Sequence, residues 1–339
     1  MNLIKKNFQF RMAKKIEINK IMRFIKLYWT KNNHLCGTNK KIFEYEYCHN
    51  DKVNFMIAIN KINKRINAIM GFIPYSKNKK NLHICGSMLL VKPNIKFPFL
   101  GIETMKNMLK KIQPKSFCGI GTNYLSLIPL IEKFFNRYTS KMVHHYFLNQ
   151  KVKNFKIANI KKNLKCNFDS KKINYEQIEN FNNLKKKIKL NKIKTNLPFK
   201  SESYIEKRYF NNPSFKYKFF IINKKDLLIG REIYFKKYNR KIFSVVDFIG
   251  SVNQLGRINS LLEDLIYKEN YEYIDMLCTD NISNILVKSG FKIKYPNDKN
   301  LIPIYFNPFI RKNIDIFYET SDKKMVFFKA DADQDRRNV

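Results

Sequence analysis

The chain has 339 residues, 44% of them apolar, with 66 Lys and Arg against 27 Asp and Glu, a formal net charge of +39. That length allows two ordinary domains, each with its own buried core, and the apolar share excludes a chain disordered throughout. No run reaches 18 uncharged apolar residues, so no membrane span is expected; the basic N-terminus has no apolar stretch or small-residue cleavage site, so neither is a signal peptide, and a cytoplasmic protein is expected.

From the N-terminus, Ile18, Ile21, Phe24, Ile25 and Tyr28 repeat at three and four, predicting a helix over 16–31. Trp29 and His34 follow and would line a pocket, or else join the core and a loop. Glu44 lies next, within Phe43-Glu44-Tyr45-Glu46-Tyr47. The apolar runs 53–59 and 65–72, joined by polar turn residues, read as a hairpin. Leu82–Val91 reads as a strand, Lys92–Leu100 as a Pro-broken loop, Gly101–Gln113 as a helix and Phe117–Gly121 as a second strand. A strand that feeds a loop and then a helix start aims free N–H groups and the positive end of the helix dipole at one spot, which suits an anion. A helix over 125–135 and a strand over 142–148 are expected to close the first half.

Residues 151–200 are the densest in lysine and read as a basic join, with 175–190 able to form a helix. Beyond Pro198 the pattern restarts: a short helical piece over 201–210, a hairpin from 217–223 and 227–235, a strand over 241–249, a Gly-containing loop, a helix over 258–267, a strand over 271–278 and a helical turn before Gly290-Phe291.

The six cysteines form no C-x-x-C, and the spacings His34-x-Cys36, Cys48-His49 and His83-x-Cys85 lack the tight pairing of a closed site; no metal is expected. The lysines are spread along the chain among Asn and Ile, with no zinc-finger, helix-turn-helix or RNP-like pattern, so they read as solvated surface rather than a dedicated nucleic-acid face.

Val91-x-Pro93, Lys96 and Gly101 resemble the strand-to-helix loop of the GNAT acyltransferases, which cradles the pyrophosphate of acetyl-CoA. Phe99 stands where that family has its first glycine, and Lys96 where Arg or Gln is usual. The element order is the GNAT order in both halves. Val246–Gly250, Tyr273-Ile274-Asp275, Pro303-x-Tyr305-Phe306 and the tail Lys329-Ala330-Asp331-Ala332-Asp333-Gln334-Asp335-Arg336 look like the tandem GNAT-like proteins of bacterial surface-polysaccharide (O-antigen) synthesis. The resemblance implies an α+β chain of two GNAT-like domains, each a mixed, mostly antiparallel sheet flanked by helices: 1–150, a basic linker 151–200, and a degenerate copy with an acidic tail at 201–339.

It also implies an acyltransferase that uses acetyl-CoA or another acyl-CoA as cosubstrate, with a sugar or nucleotide-sugar acceptor. The other readings are a binding or scaffold protein with the same fold, and aminoacyl transfer of the peptidoglycan-peptide type. Leu90, Val91, Lys96, Gly101 and Asn123 are the cofactor-binding candidates. The family's acid tyrosine, seven residues after Asn123, is replaced by Leu130, and its counterpart in the second half by Leu286. Acid–base work then falls to His34, Glu44, Asp247 and Asp275; the last two sit in apolar strands, where a carboxylate must be paired, hydrogen-bonded or shifted in pKa. Trp29, Asp331, Asp333, Gln334, Asp335 and Arg336 are the substrate-binding candidates, although the acidic tail would also suit a basic cleft of its own chain.

Overall fold

The structure, a computed structural model, describes residues 2–29, 34–49, 51–161, 172–193, 195, 197–306, 308–332 and 335–336, so the candidates Asp333 and Gln334 lie outside the described residues. The chain forms two compact units, one running to Thr139 and including Glu319–Asp322, the other Ser140–Tyr318 with Lys323–Arg336.

The first unit runs α1 (Asn2–Asn7), β1 (Phe8–Met12), α2 (Ile18–Tyr28), α3 (Leu35–Thr38), α4 (Lys40–Tyr47), a small hairpin of β2 (Cys48–His49) and β3 (Lys52–Val53), β4 (Phe55–Asn60), β5 (Ile66–Pro74), β6 (His83–Val91), α5 (Leu100–Ile112), β7 (Ser116–Ile120), α6 (Ile128–Phe135) and β8 (Tyr138–Lys141). Its sheet has the order β1, β4, β5, β6, β7, then Phe317–Thr320 from near the chain's end, then β8. β1 through β6 pair antiparallel, and β6 with β7 parallel. The β4–β5 turn forms because the Asn60 side chain accepts from the N–H groups of Ile62 and Asn63, as local Asn caps do. Met105, Met108 and Ile131 of the helices cover Met56, Met70, Phe72, Ile84 and Phe117 on one sheet face. Phe55, which alternates with Met56 and so points to the other face, stacks on Phe43 and touches Tyr47 of α4.

The second unit holds β9 (Val143–Leu148), β10 (Tyr175–Ile178), α7 (Phe181–Lys187), α8 (Glu202–Ile205), β11 (Lys218–Ile222), β12 (Asp226–Phe235), β13 (Arg240–Ile249), α9 (Asn259–Lys268), β14 (Tyr273–Cys278), α10 (Ser283–Lys288), β15 (Lys292–Ile293) and a hairpin of β16 (Tyr305–Phe306) and β17 (Phe309–Ile310); β18 is Phe317–Thr320. Its sheet order is β10-β11-β12-β13-β14-β9-β15, with β13 and β14 parallel. Leu261, Leu262, Leu265 and Ile266 of α9 pack with Phe243, Val245, Ile274 and Met276 of the strands. Both sheets are mixed, mostly antiparallel and flanked by helices. Among the described residues no helix is long and apolar enough to cross a membrane.

Two placements correct the sequence reading. The strand expected to close the first half, β9, lies in the second sheet between β14 and β15. His144 and His145 explain it, because successive strand residues point to opposite faces and both are buried. His144 meets Asp275 at 3.1 Å, while His145 meets Ser283 at 3.1 Å and Cys278 at 3.6 Å, so the strand is complete only with partners on each side. The described residues of the expected linker 151–200 likewise belong to the second unit. The buried Glu272 carboxylate accepts from the N–H groups of Lys156, Ile157 and Ala158 at 2.8–3.0 Å, and Tyr175–Ile178, expected within a helix, pairs as a strand with β11.

Burial holds the His145 imidazole at about 3. The native chain therefore refuses a proton that the unfolded chain takes up near 6.5, and acid favours unfolding. Between pH 7 and pH 5 this one histidine removes about 2 kcal/mol of stability. His145→Gln, whose amide can still bond to Ser283, should flatten the pH dependence of urea unfolding by that amount; an unchanged slope would acquit the histidine.

Candidate active site

In the first unit, β6 and β7 pair from His83↔Ser116 to Gly86↔Gly119, and β6 then runs on for five residues without β7. The departure has a local cause. Opposite β5, Ser87 pairs with Gly71 and Leu90 with Ile69, so Met88 and Leu89 face the single residue Met70. This is a β-bulge, and Met88 takes a left-handed conformation (φ 52°) to make it. A bulge bends its strand and increases the twist, which carries the end of β6 away from β7. Where parallel strands part, the backbone groups along their inner edges lose their ladder partners and become available to an extended ligand.

At the head of this opening stands α5. Phe99 at its N-cap gives no side-chain cap, and among the described residues the N–H groups of Gly101 and Ile102 donate to no protein acceptor. Phe99 adopts φ 68°, ψ 9°, the left-handed form that glycine enters freely, so the backbone keeps a glycine-like turn despite the ring. Gly101 is tight against the strand: a Cβ there would lie 3.1 Å from a methyl of Val91. Lys96 is exposed on the same loop. Asn123 lies beyond β7, its side chain accepting from the Ser126 N–H at 2.9 Å, and Tyr124 beside it is exposed.

Two polar pairs flank the last shared rung. Ser87, the first β6 residue past it, is 2.7 Å from the hydroxyl of Tyr47. On β7, a Cβ at Gly119 would come within 2.9 Å of Glu319 Oε1, and Glu319 accepts from Arg137 at 2.7 Å. Burial raises the Glu319 carboxyl above its ordinary range, and Arg137 opposes that only in part. None of Ser87, Tyr47, Arg137 and Glu319 is among the site candidates of the sequence reading. The Gly86–Gly119 rung was the available signal, but nothing in a sequence says that the two glycines face each other.

The structure brings Trp29 and His34 together, ring centroids 5.5 Å apart and edge-on. His34 Nδ1 accepts from the Cys36 N–H at 3.1 Å and caps α3, and burial lowers the imidazole to about 4, so it stays neutral at neutral pH. Glu44 lies on the outer side of α4 near Lys40, at 3.9 Å. It belongs to no buried cluster.

The other candidates converge in the second unit. There β13 and β14 pair only over Phe243–Val245 and Ile274–Met276, and a bulge at Val246 again precedes the parting, since Ile229 and Gly230 face Asp247 and Val245. This opening is filled. The Thr279 N–H donates to the Phe327 carbonyl at 3.1 Å, and Cys278 bridges Phe328. Because β9 occupies the other edge of β14, the C-terminal segment must lie on the edge that faces β13.

Its side chains settle among buried charges. Lys200 Nζ donates to both oxygens of Asp247 at 2.8 Å and to Asp331 at 3.0 Å, and Tyr209 donates to Asp247. Lys329 reaches Ser244 at 3.0 Å and Asp275 at 3.3 Å. Asp335 accepts from Arg231 at 2.6 Å, Tyr217 at 2.9 Å and Arg208 at 3.1 Å. Arg336 is buried nearby in the sequence. Burial, together with the neighbouring Asp331, keeps the Asp247 carboxyl raised against the pull of Lys200. Burial also pushes Asp275 up, but Lys329, His144 and Ser244 outweigh it and hold the group below its ordinary range.

No protein-family model and no curated protein matches the sequence. Solved structures match in fold. A conserved protein of unknown function from Enterococcus faecalis V583, called "Probable N-Acyltransferase", superposes with a TM-score of 0.54 at 9% identity, over 92% of this chain and 71% of that chain. GCN5-related N-acetyltransferases from Kribbella flavida and from Anabaena variabilis ATCC 29413 superpose with a TM-score of 0.53 at 8% identity, over 93% and 92% of this chain and 70% and 72% of theirs. At such identities the likeness is one of fold: α+β, with two GNAT-type domains in tandem.

Proposed function

We propose that this chain of two GNAT-fold units is an acyltransferase that moves an acyl group from acetyl-CoA or another acyl-CoA to an amino sugar, nucleotide-linked, for surface-polysaccharide assembly. The observation that carries the CoA part is the parting of β6 and β7 beyond Gly86 and Gly119, beneath a helix start whose Gly101 and Ile102 N–H groups meet no acceptor among the described residues. The sugar acceptor rests on the tail and strand motifs that resemble the polysaccharide proteins.

In this reading the N–H groups of Gly101 and Ile102, with Lys96, receive the pyrophosphate. The backbone of Leu90 and Val91 lies along the pantetheine arm and polarises the thioester carbonyl, and Asn123 borders the opposite wall. The acceptor nitrogen attacks the carbonyl carbon, a C–N bond forms and the C–S bond breaks. The nitrogen loses a proton and the departing thiolate gains one. Ser87 stands at the parting point and passes that proton, while Tyr47 behind it is a positioning residue. Trp29 and the neutral His34, which caps α3, serve as wall.

Calorimetric titration with acetyl-CoA and desulfo-CoA tests this. Both should bind saturably, and Gly101→Trp should weaken both at least tenfold, because a side chain there starts 3.1 Å from Val91 and covers the helix start. A folded protein that binds neither would leave the scaffold reading in its place.

A further inference from the structure

We propose that the opening between β13 and β14 is a peptide-binding site, and that the chain's own C-terminal residues Met325–Ala332, with Asp335 and Arg336, are its permanent occupant. Both units part a parallel strand pair in the same way, with a bulge just before the last residues of the longer strand. In the second unit the C-terminal segment lies in the gap and meets the end of β14 through its backbone. The Thr279 N–H donates to the Phe327 carbonyl and Phe328 bridges Cys278, while the Val326 N–H donates outside the sheet, to the Leu197 carbonyl at 2.8 Å.

The side chains supply specificity in three steps. Phe327 and Phe328 are buried as apolar anchors. Lys329 descends between the strands to Asp275 and Ser244. Asp331 and Asp335, four residues apart, meet Lys200 on one side and Arg208 with Arg231 on the other. The ligand class is thus a peptide that is extended through two aromatic anchors and then turns, in a short 3-10 segment over Lys329–Asp331, to present spaced carboxylates to buried lysine and arginine.

The same end of the second unit disfavours a phosphate. After β13 the Ser251 N–H is already taken by Asp226 Oδ1 at 2.9 Å, and a Cβ on Gly250 would lie 2.1 Å from that oxygen. Asp226 therefore puts a buried carboxylate at the loop that leads toward α9, where a pyrophosphate would meet like charge. The contrast with an open first unit rests on the function proposed above; the peptide site does not.

The test keeps the whole chain. A protease recognition sequence inserted between Lys323 and Lys324, both exposed, allows the native protein to be cut there. The C-terminal fragment is expected to co-elute with the remainder on gel filtration at micromolar concentration. Its separation would overturn the proposal, whether or not the remainder stays folded. In a second measurement, a labelled synthetic peptide from Met325 to Arg336 competes for the cut protein during refolding. The version with Asn for Asp331 and Asp335 should compete at least tenfold more weakly, and equal competition would overturn the charged anchoring. Titration of the uncut chain with acetyl-CoA should reach one per chain. Two per chain would mean the second opening is vacant to CoA, against the proposal. None would count against the acyltransferase reading alone and leave the fragment result standing.

Discussion

Asp335→Ala should destabilise the second unit by about 3–5 kcal/mol, the usual cost of removing one side of a buried ion pair. The carboxylate is fully buried and bridges Arg231 at 2.6 Å and Arg208 at 3.1 Å, with Tyr217 at 2.9 Å on the same oxygen as Arg208. Without it the buried guanidinium groups of Arg208 and Arg231 lose the carboxylate that they share. The cost therefore comes mainly from stranded charge rather than from lost attraction. Asp335→Asn, which keeps an acceptor but no charge, should fall between the variant and the native chain. Urea midpoints measure both. Glu44→Ala is the contrast: its partner Lys40 lies 3.9 Å away on the outer face of α4, and the loss should stay within about 0.5 kcal/mol. A similar loss for Asp335→Ala would mean the buried lattice is not what holds the tail.

Ser87→Ala should lower kcat about a hundredfold, the lower range for a positioned proton carrier, while the KM for acetyl-CoA stays unchanged. Ser87 is the first residue beyond the last β6–β7 rung, so its hydroxyl is the nearest β6 side-chain hydroxyl to the parting point. Its partner Tyr47 is buried, 2.7 Å away, and fixed by Phe43 and Phe55. Tyr47→Phe removes the partner but not the reacting hydroxyl, so it should cost less in kcat and alter the pH dependence of kcat. A merely structural role would instead lower the unfolding midpoint in both variants and leave that pH profile in place. The proposal fails if free-thiol release by Ser87→Ala matches the native rate.

The sequence by itself determined most of the elements. Helical spacing placed α2, α5 and α9 to within a few residues, and the apolar runs around Asn60–Lys64 announced the β4–β5 hairpin. These are local outcomes: the pattern of burial along a helix or strand is written in neighbouring residues. The candidate site was legible only where it too is local, in the loop from Val91 to Gly101. Asp247 and Asp275 were singled out because a carboxylate in an apolar strand needs a partner, but Lys200, Lys329 and His144 lie between 47 and 131 positions away along the chain. Nothing local links such residues. Tertiary structure alone decided three things: that β9 joins the second sheet, that Glu319 lies over Gly119, and that Asp331 and Asp335 of the acidic tail are buried among the second unit's own cations. All three follow from one cause. Strand edges and buried charges accept whichever partner satisfies them in three dimensions, and sequence distance does not enter that balance.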